Sequence, residues 1–440
     1  MSIEDLYLKY RECGCRVTTD SRAIAGGEMF IALKGENFDG NEYALKALEA
    51  GAACAVVDGS SAAASSGDPR VVAVTDTFET LRALARHHRR NCLGDRHLTV
   101  IGLTGTNGKT TTKELIRAVL SAKYRVTATE GNLNNDIGVP LSLLKITDAT
   151  EIAVIEMGAN HPDDIKHLVE VCEPDCGLIT NVGKAHLLGF GSFDGVKRAK
   201  GQLYDFIAAH GGEVFVNVDS EDLRGMAGSR QGLSIVPYGL DFNGVEILPP
   251  TPEHPYLRMT LDGRTIETRL VGAYNAMNVL AAVCIGCHFE VPFEDAAAAV
   301  ESYVPANNRS QMQKTARNTL ILDAYNANPS SMAVALESFA LMEAPRKVAL
   351  LGDMRELGDN SLAEHVKVVE KIAASGFDAY LVGEEFARAL EAAGTPANVL
   401  GHFAGSEALA AHLTAHPLEG ACVLVKGSRG IRMELTVPAL

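Results

Sequence analysis

A glycine-rich segment followed by lysine and threonine carries the strongest chemical signal in the sequence. It reads Gly102-Leu-Thr-Gly105-Thr-Asn-Gly108-Lys109-Thr110-Thr111, with an apolar strand pattern before it and a helical pattern with one apolar face after it. In this order, backbone amides and the helix N-terminus bind phosphate, the lysine reaches the terminal phosphates and the threonine hydroxyl ligates Mg²⁺. The strict GxxxxGK(S/T) pattern is not met, because Leu103 occupies its first position, so a chance glycine-rich turn remains the alternative. The sequence therefore predicts an ATP site formed by Gly105, Thr106, Asn107, Gly108, Lys109, Thr110 and Thr111.

Two side chains that could bind metal follow apolar strand patterns farther along the chain. Glu156 ends the pattern Glu151–Glu156, and His186 comes after the pattern Cys176–Thr180. Because the carboxyl ends of parallel strands meet at one edge of a sheet, Glu156 is predicted to hold Mg²⁺ beside the phosphates. His186 could bind a second divalent ion at the same edge. The alternatives are a solvent-facing glutamate and a structural histidine.

The elements that must place these side chains alternate between strand and helix patterns in three blocks. Residues 1–84 hold short strands and helices, and residues 85–306 hold a longer alternation with a hairpin signal at Asp262-Gly263. Residues 307–440 hold a second alternation, entered through the linker Val304–Asn308. Such alternation favours mostly parallel sheets. The predicted fold class is therefore α/β in three domains, the central one carrying a small β insertion.

Composition excludes several classes of partner. The 440 residues contain 40 Lys plus Arg and 55 Asp plus Glu, a net charge of −15, which disfavours nucleic acid because that partner needs a basic face. No run of about 18 apolar residues indicates a membrane span, and the charged N-terminus lacks the apolar stretch of a signal peptide. Nine scattered cysteines indicate neither a disulfide framework nor a metal site. We expect a cytoplasmic protein that acts as a monomer, without a nucleic-acid or membrane partner.

Four segments taken together resemble the Mur ligase family. They are Gly105–Thr111, Glu156–Pro162, Asn181–Gly191 and Asp323–Met332, and the resemblance extends over essentially the whole chain. Within the family, the chain is similar to the branch that adds D-Ala-D-Ala. That branch is favoured because Gly-Ala-Asn-His-Pro and Tyr-Asn-Ala-Asn-Pro stand where the branch that adds the third amino acid has a Ser-rich segment and Tyr-Ala-His-Thr-Pro.

The resemblance implies an ATP-dependent amide ligase of peptidoglycan precursor synthesis. The terminal carboxylate of a UDP-N-acetylmuramoyl-tripeptide would attack the γ-phosphate of ATP, and the amine of D-Ala-D-Ala would then displace phosphate from the acyl phosphate. One alternative is another Mur-type or folylpolyglutamate synthase-like carboxylate–amine ligase, and a second is a nucleotide-binding switch or phosphotransferase. The segments Asp20–Arg22 and Lys34–Gly40, which resemble the family's UDP module, argue against the folate branch.

By the same resemblance, Lys109, Glu156, His186 and Lys200 are the catalytic residues. Thr110 and Glu156 would hold one Mg²⁺. His186 would hold a second, together with Lys200 as a carbamate formed with CO₂, whose oxygens suit a hard cation. The alternative is that Lys200 is an ordinary exposed helix lysine.

The resemblance also assigns residues that contact ATP. These are Asn275, Asn278, Arg309 and Asp323, although the two asparagines could instead only cap a helix. Asn328 is assigned either to a substrate contact or to the N-cap of the helix that follows it.

The remaining assignments concern the substrates. Ser21, Arg22 and Lys34 would face the uridine diphosphate, and Asn134 and Asn135 belong to a substrate-side loop. The three domains would then bind UDP, bind ATP and close over the site. The closing domain would be a Rossmann-like unit, moving around the linker near residues 304–309.

Overall fold

The chain, seen in a computed structural model that describes residues 1–35, 37–306 and 308–440, is built mainly from parallel sheets covered by helices. Glu36 of the predicted UDP segment and Asn307 of the predicted linker lie outside the described residues. None of the described helices is both long and apolar enough to cross a membrane. The α/β fold class predicted from the alternating patterns is confirmed.

The first unit is a parallel sheet whose strands lie side by side in sequence order. Its elements are α1 (Ile3–Glu12), β1 (Val17–Thr18), β2 (Met29–Ile31), α2 (Ala44–Glu49), β3 (Cys54–Asp58), β4 (Val71–Val74) and α3 (Thr77–Asn91). The β3 sequence Cys-Ala-Val-Val-Asp is buried over its first four residues, as expected for a strand of a sheet covered on both faces. Helix α1 begins with a capping box between Ser2 and Asp5, which satisfies free amides of its first turn.

The central unit is a second parallel sheet, with the strand order β10-β9-β8-β5-β7-β6. Its strands are β5 (Thr99–Thr104), β6 (Val126–Ala128), β7 (Ile152–Glu156), β8 (Cys176–Ile179), β9 (Glu213–Asn217) and β10 (Ser234–Tyr238). Its helices are α4 (Lys109–Leu120), α5 (Gly138–Leu143), α6 (Asp164–Cys172), α7 (Leu187–Phe190), α8 (Phe193–Ala209), α9 (Glu221–Gly228), α10 (Ala276–His288) and α11 (Phe293–Ser302). Strand β5 pairs with both β7 and β8, so the loop after β5 lies between the end of β7 at Glu156 and the end of β8.

A small antiparallel sheet is inserted between β10 and α10. Its strands are β11 (Glu246–Leu248), β12 (Arg258–Leu261) and β13 (Arg264–Glu267). Asp262 and Gly263 join the last two strands with φ angles of 50° and 78°. Positive φ at both positions is what a two-residue hairpin turn requires, and it explains the Asp-Gly pair. The predicted hairpin is confirmed.

The C-terminal unit is a third large sheet, with the order β14-β15-β19-β16-β17-β18. Its strands are β14 (Gln311–Lys314), β15 (Thr319–Asp323), β16 (Lys347–Gly352), β17 (Asp378–Val382), β18 (Val399–Phe403) and β19 (Cys422–Lys426). Its helices are α12 (Pro329–Leu341), α13 (Ser361–Ala373), α14 (Glu384–Ala393) and α15 (Ser406–Ala415). The edge strand β14 runs antiparallel to β15, and the other pairings are parallel. Strands β15, β19 and β16 therefore end side by side, next to the central unit.

The first and central units share one apolar core. Buried residues of α1, β2, β3 and α3 form a single cluster with residues of α5, α6 and α8 on one face of the central sheet. Tyr10 of α1 is fully buried there, and its hydroxyl donates to the carbonyl of Leu144 at the end of α5. The relative orientation of these two units is thereby fixed by packing. The other face of the central sheet and both faces of the C-terminal sheet have further apolar clusters, one of which joins Val271 of the central unit to the C-terminal unit.

Candidate functional site

A cleft of about 850 Å³ lies between the strand ends of the central sheet and the C-terminal unit. We call it the central cleft. Open α/β sheets bind ligands at the carboxyl ends of their strands, so this is the position where a ligand is expected. The residues predicted from the sequence that line it are Thr106, Asn107, Gly108, Lys109, Thr110, Thr111, Asn134, Glu156, His186, Asn275, Asn278, Arg309, Asp323 and Asn328.

The loop between β5 and α4 depends on two glycines. Gly105 has φ of 152°, and a Cβ there would lie 1.9 Å from Oγ1 of Thr180. Gly108 has φ of 76°, and a Cβ there would lie 2.7 Å from Oδ1 of Asn278. Between the glycines, the side chain of Asn181 bonds both the amide and the carbonyl of Asn107, at 2.9 and 3.0 Å. Close packing on both sides therefore gives the loop its shape.

The start of α4 forms a concentration of positive charge at the cleft. Gly108 is the N-cap, and no side chain among the described residues caps the first amides of α4, which makes this helix end a binding site for anions. The ammonium of Lys109 donates to the carbonyls of Gly105 at 2.8 Å and Thr106 at 3.3 Å. Burial lowers the pKa of Lys109; the charge of Arg309 adds to this, and that of Glu156 opposes it. A phosphate group placed there would relieve this unfavourable burial of positive charge.

Glu156 has a free carboxylate oxygen beside the loop. The residue is 1% exposed, and its Oε1 accepts from Oγ1 of Thr110 at 3.1 Å and from Nδ2 of Asn134 at 2.8 Å. Its Oε2 is buried without a hydrogen-bond partner among the described residues. Leaving a buried carboxylate oxygen unpaired is unfavourable, and a hard cation bound by this oxygen and the Thr110 hydroxyl would satisfy it. The residues present fit Mg²⁺.

His186 is half-buried and meets the C-terminal unit. It precedes α7 with φ of 51°, and its Nδ1 is hydrogen-bonded to the carboxylate of Glu356. Burial lowers the pKa of His186, and the Glu356 carboxylate opposes that shift. A neutral imidazole is the form that ligates metal. The position therefore fits a cation ligand as well as a contact between units.

Lys200 lies on the buried face of α8. It is 2% exposed, so the alternative of an ordinary exposed helix lysine is wrong. Burial, reinforced by the positive charge of Lys109, holds the pKa of Lys200 well below its usual value. The neutral amine favoured by this environment is the nucleophilic form, which can react with CO₂. Lys200 is not among the residues that line the central cleft.

Asn275 and Asn278 connect α4 to the residues that lead into the C-terminal unit. Oγ1 of Thr112 donates to Asn278 at 3.1 Å, and Asn278 donates to Oδ1 of Asn275 at 3.0 Å. Asn275 in turn donates to the carbonyl of Val271 at 2.8 Å and to Oγ of Ser310 at 3.1 Å. Asn275 is the N-cap of α10, but its side chain makes no capping bond, so helix capping does not explain this pair.

Two guanidinium groups from the C-terminal unit converge on one tyrosine. Arg309 stacks on the ring of Tyr325 at 3.6 Å, and its Nε is buried without a partner among the described residues. Arg429 lies 5.3 Å from the same ring and donates to the Tyr325 hydroxyl at 3.3 Å. All three side chains line the cleft, so this wall carries positive charge suited to an anionic ligand.

Asp323 and Asn328 occupy the same wall. Asp323, at the end of β15, forms an ion pair with the buried Lys426 at the end of β19. Asn328 is the N-cap of α12, and its side chain accepts from the amide of Ser331 at 2.9 Å. This is the capping role that the sequence offered as one of two alternatives. Nδ2 of Asn328 also donates to Oδ1 of Asn107 at 2.8 Å, which joins the C-terminal unit to the phosphate-binding loop.

Six residues predicted from the sequence do not line the central cleft. They are Gly105, Lys200, Ser21, Arg22, Lys34 and Asn135. Ser21 and Arg22 lie in a short turn of the first unit, where Arg22 makes a two-point contact with Asp20 at 2.9 and 2.8 Å. Lys34 forms an ion pair with Asp39 at 3.9 Å. The side chain of Asn135 accepts from the amide of Gly138 at 2.9 Å, at the start of α5.

Several residues of the site were not assigned from the sequence. They are Thr180 and Asn181, which hold the loop; Thr129, whose hydroxyl accepts from the amide of Glu156 at 3.0 Å; and Tyr325 and Glu356 of the C-terminal unit. Glu356 comes shortly after the end of β16. The strand-end reasoning applied to Glu156 could therefore have drawn attention to it.

Three family models match consecutive parts of the chain. The model described as "Mur ligase family, catalytic domain" matches residues 16–89, "Mur ligase middle domain" matches 103–286, and "Mur ligase, glutamate ligase domain" matches 308–429.

Similar proteins cover nearly the full length. The UDP-N-acetylmuramoyl-tripeptide--D-alanyl-D-alanine ligase of Bacillus subtilis is 34% identical over 432 residues, covering 96% of this chain and 92% of the relative. A crystal structure of MurF from Acinetobacter baumannii is 31% identical with a TM-score of 0.83, covering 96% of this chain and 92% of that one. The structure of MurF ligase from Thermotoga maritima in complex with ADP is 26% identical with a TM-score of 0.81, covering 96% of each chain.

Proposed function

Because the chain belongs to the Mur ligase family, we propose that it is an ATP-dependent ligase that joins D-alanyl-D-alanine to the carboxyl end of UDP-N-acetylmuramoyl-tripeptide, a step of peptidoglycan synthesis. The ligase named for this reaction in Bacillus subtilis is similar over 96% of the chain. The observation that carries the proposal is the free Oε2 of Glu156 beside the phosphate-binding loop, inside a cleft that the C-terminal unit closes. Such a site suits phosphoryl transfer from ATP to a carboxylate.

The phosphate-binding loop and its neighbours hold the nucleotide. Amides of Gly105–Thr111 surround the phosphates and the Lys109 ammonium neutralises them, while Asn275 and Asn278 contact the adenine side. Thr110 and Glu156 would hold one Mg²⁺, which would supply positive charge to neutralise the reacting anions. This neutralisation matters because the substrate carboxylate and the γ-phosphate are both anions that must meet in line.

A second cation would be held by His186 and by Lys200 in carbamate form. The lone pair of the neutral Lys200 nitrogen would attack the carbon of CO₂, so that an N–C bond forms, one C–O π bond opens and the nitrogen loses a proton to solvent; a neutral amine thus becomes an anion with two oxygen donors. Burial of the amine supports this step, because it disfavours the ammonium that could not react.

The three blocks, residues 1–84, 85–306 and 307–440, have separate tasks in this proposal. Ser21, Arg22 and Lys34 bind the uridine diphosphate, since the fork of an arginine suits a phosphate. The second block holds ATP, with Asn134 and Asn135 beside the tripeptide.

The third block closes the site. Arg309, Asp323 and Asn328 stand opposite the phosphate-binding loop, so they complete the ligand contacts and exclude water from the acyl phosphate. The protein works in the cytoplasm as a monomer on small-molecule substrates.

Release of phosphate from ATP tests the proposed reaction. With UDP-N-acetylmuramoyl-tripeptide present, we expect sustained release only after D-Ala-D-Ala is added, and the product should contain both substrates by mass spectrometry. Replacing D-Ala-D-Ala by D-glutamate or glycine is the control for other carboxylate–amine ligases. Release at the full rate without any amine would contradict the proposal and favour a phosphotransferase or a nucleotide switch.

A further inference from the structure

Glu356 of the C-terminal unit makes a contact that the proposed reaction does not yet use. Its carboxylate is hydrogen-bonded to Nδ1 of His186, across the boundary between the central and C-terminal units. Both side chains line the central cleft. Nε2 of the His186 ring has no hydrogen-bond partner among the described residues, so this nitrogen is available to a ligand.

The backbone that carries Glu356 is fixed on both sides. The amide of Arg355 donates to Oγ of Ser428 at 2.9 Å, and the amide of Ser428 donates to the carbonyl of Asp353 at 3.1 Å. On the other side, Leu357 is 2% exposed and belongs to an apolar cluster of the C-terminal unit. The backbone of Glu356 is therefore held in place by its own unit, independently of His186.

Both partners of the contact have left-handed backbone conformations. The φ angles are 51° at His186 and 65° at Glu356. This conformation is unfavourable for a residue with a side chain by about 1–2 kcal/mol. Such strain persists where the surrounding structure imposes it, and it is concentrated at functional sites. Here the strain occurs at both partners of one contact between units, and one of these partners, His186, is assigned to cation binding.

We propose that Glu356 is a positioning residue for the second cation site, because its carboxylate accepts the Nδ1 proton of His186 and leaves the Nε2 lone pair for the cation. The inference rests on the proposed function, in which His186 is a cation ligand. A carboxylate behind a metal-binding histidine fixes the tautomer and the ring orientation and makes the ligand more basic. A histidine without such a carboxylate has no fixed tautomer, because a neutral imidazole can carry its proton on Nδ1 or on Nε2.

The contact also couples the cation site to the position of the C-terminal unit. Glu356 belongs to that unit and His186 to the central unit, so the complete arrangement exists only when the two units are together. A ligand that binds the closed state more tightly favours closure by the same factor. Cation binding and closure should therefore depend on each other through Glu356.

Binding of Mn²⁺ to the full-length protein, measured by electron paramagnetic resonance at saturating ADP, tests the inference. We expect two classes of sites in the unsubstituted protein and loss of the weaker class in His186→Ala. Glu356→Ala should weaken that class by about 10–100-fold and leave the tighter class unchanged. Glu356→Gln keeps an acceptor oxygen without the charge, so its affinity at the weaker class should lie between those of the unsubstituted protein and Glu356→Ala. Glu337→Ala is the matched control, because Glu337 is an exposed glutamate of the same unit that pairs with Lys371, and it should change neither class.

Three outcomes overturn the inference. Unchanged weak binding in Glu356→Ala, together with its loss in His186→Ala, shows that Glu356 does not act on this site. Tighter binding in Glu356→Ala shows that the carboxylate competes with the cation. Equal weakening of both classes with a lower melting temperature shows a structural role only. Each of these leaves the ligation reaction standing, because that reaction is tested by dipeptide-dependent phosphate release.

Discussion

Lys200 shows how far burial changes the chemistry of a single side chain. Its local sequence, Lys197-Arg-Ala-Lys200, is strongly charged, yet Lys200 is 2% exposed and Lys197 remains partly exposed with carboxylate partners. Taking an ammonium out of water disfavours the charged form, and at Lys200 burial and the positive charge of Lys109 lower the pKa more than the charge of Asp164 raises it. Two lysines three residues apart therefore have different chemistry, and only the buried one is suited to react with CO₂.

Substituting Lys200 by Ala should abolish most of the ligase activity. We expect a loss of about 100-fold, because the substitution would remove one ligand of the proposed second cation site. Added acetate or propionate should restore part of the activity by entering the vacated space as an anion, measured as phosphate release dependent on D-Ala-D-Ala.

The matched control for this experiment is Lys197→Ala on the same helix. Lys197 pairs with Asp194 and Asp222 at the surface, so its loss should leave the activity nearly unchanged and insensitive to added carboxylate. Full activity of Lys200→Ala without any addition would show that the carbamate has no role.

At the scale of elements, the loop between β5 and α4 is shaped by its glycines. Substituting Gly108 by Ala places a methyl group 2.7 Å from Oδ1 of Asn278, so Asn278 or the loop must move. We expect ATP binding, measured by isothermal titration calorimetry, to weaken by about 10-fold or more, since displaced amides lose their phosphate contacts. The left-handed backbone adds a loss of stability of about 1–2 kcal/mol.

Gly211 provides the control that separates these two effects. Its φ of 71° is close to that of Gly108, but a Cβ there would meet nothing within 4 Å. Gly211→Ala should therefore lower the free energy of unfolding to a similar degree and leave ATP binding intact. Equal loss of ATP binding in both variants would show that general destabilisation, and not the loop, explains the effect.

Elements that depend on local pattern could be predicted from the sequence. The strand Ile152–Glu156 is a run of apolar residues that ends in its acid, and the hairpin at Asp262-Gly263 follows from a turn that needs positive φ. These features are set within a few residues of chain.

Features that depend on packing between distant segments could not be predicted. The hydrogen bond between His186 and Glu356 joins residues 170 positions apart in different units. Asn134 reaches Glu156 while the adjacent Asn135 bonds the amide of Gly138, and nothing in the Asn-Asn pair distinguishes the two. Burial of Lys200 is likewise hidden by its charged neighbours.

At the scale of the whole molecule, the proposed reaction involves closure of the C-terminal unit over the central cleft. We expect ATP, Mg²⁺ and UDP-N-acetylmuramoyl-tripeptide together to reduce the radius of gyration in small-angle scattering, because residues of both units line the cleft in which we propose that the ligands bind. Lys109→Ala, which we expect to weaken nucleotide binding, should show less compaction at the same ligand concentrations. An unchanged radius of gyration in the unsubstituted protein would count against closure.

The apolar core shared by the first and central units has a mechanical consequence. Separating these units would expose buried side chains such as Tyr10 to water, whereas Asn107–Asn328 and His186–Glu356 across the cleft are polar contacts that water can replace. The first and central units are therefore joined by a shared apolar core, whereas the contacts beside the phosphate-binding loop that join the C-terminal unit are polar. Opening the cleft beside the phosphate-binding loop breaks polar contacts, so in the proposed reaction the departure of ADP need not disturb the packing between the first and central units.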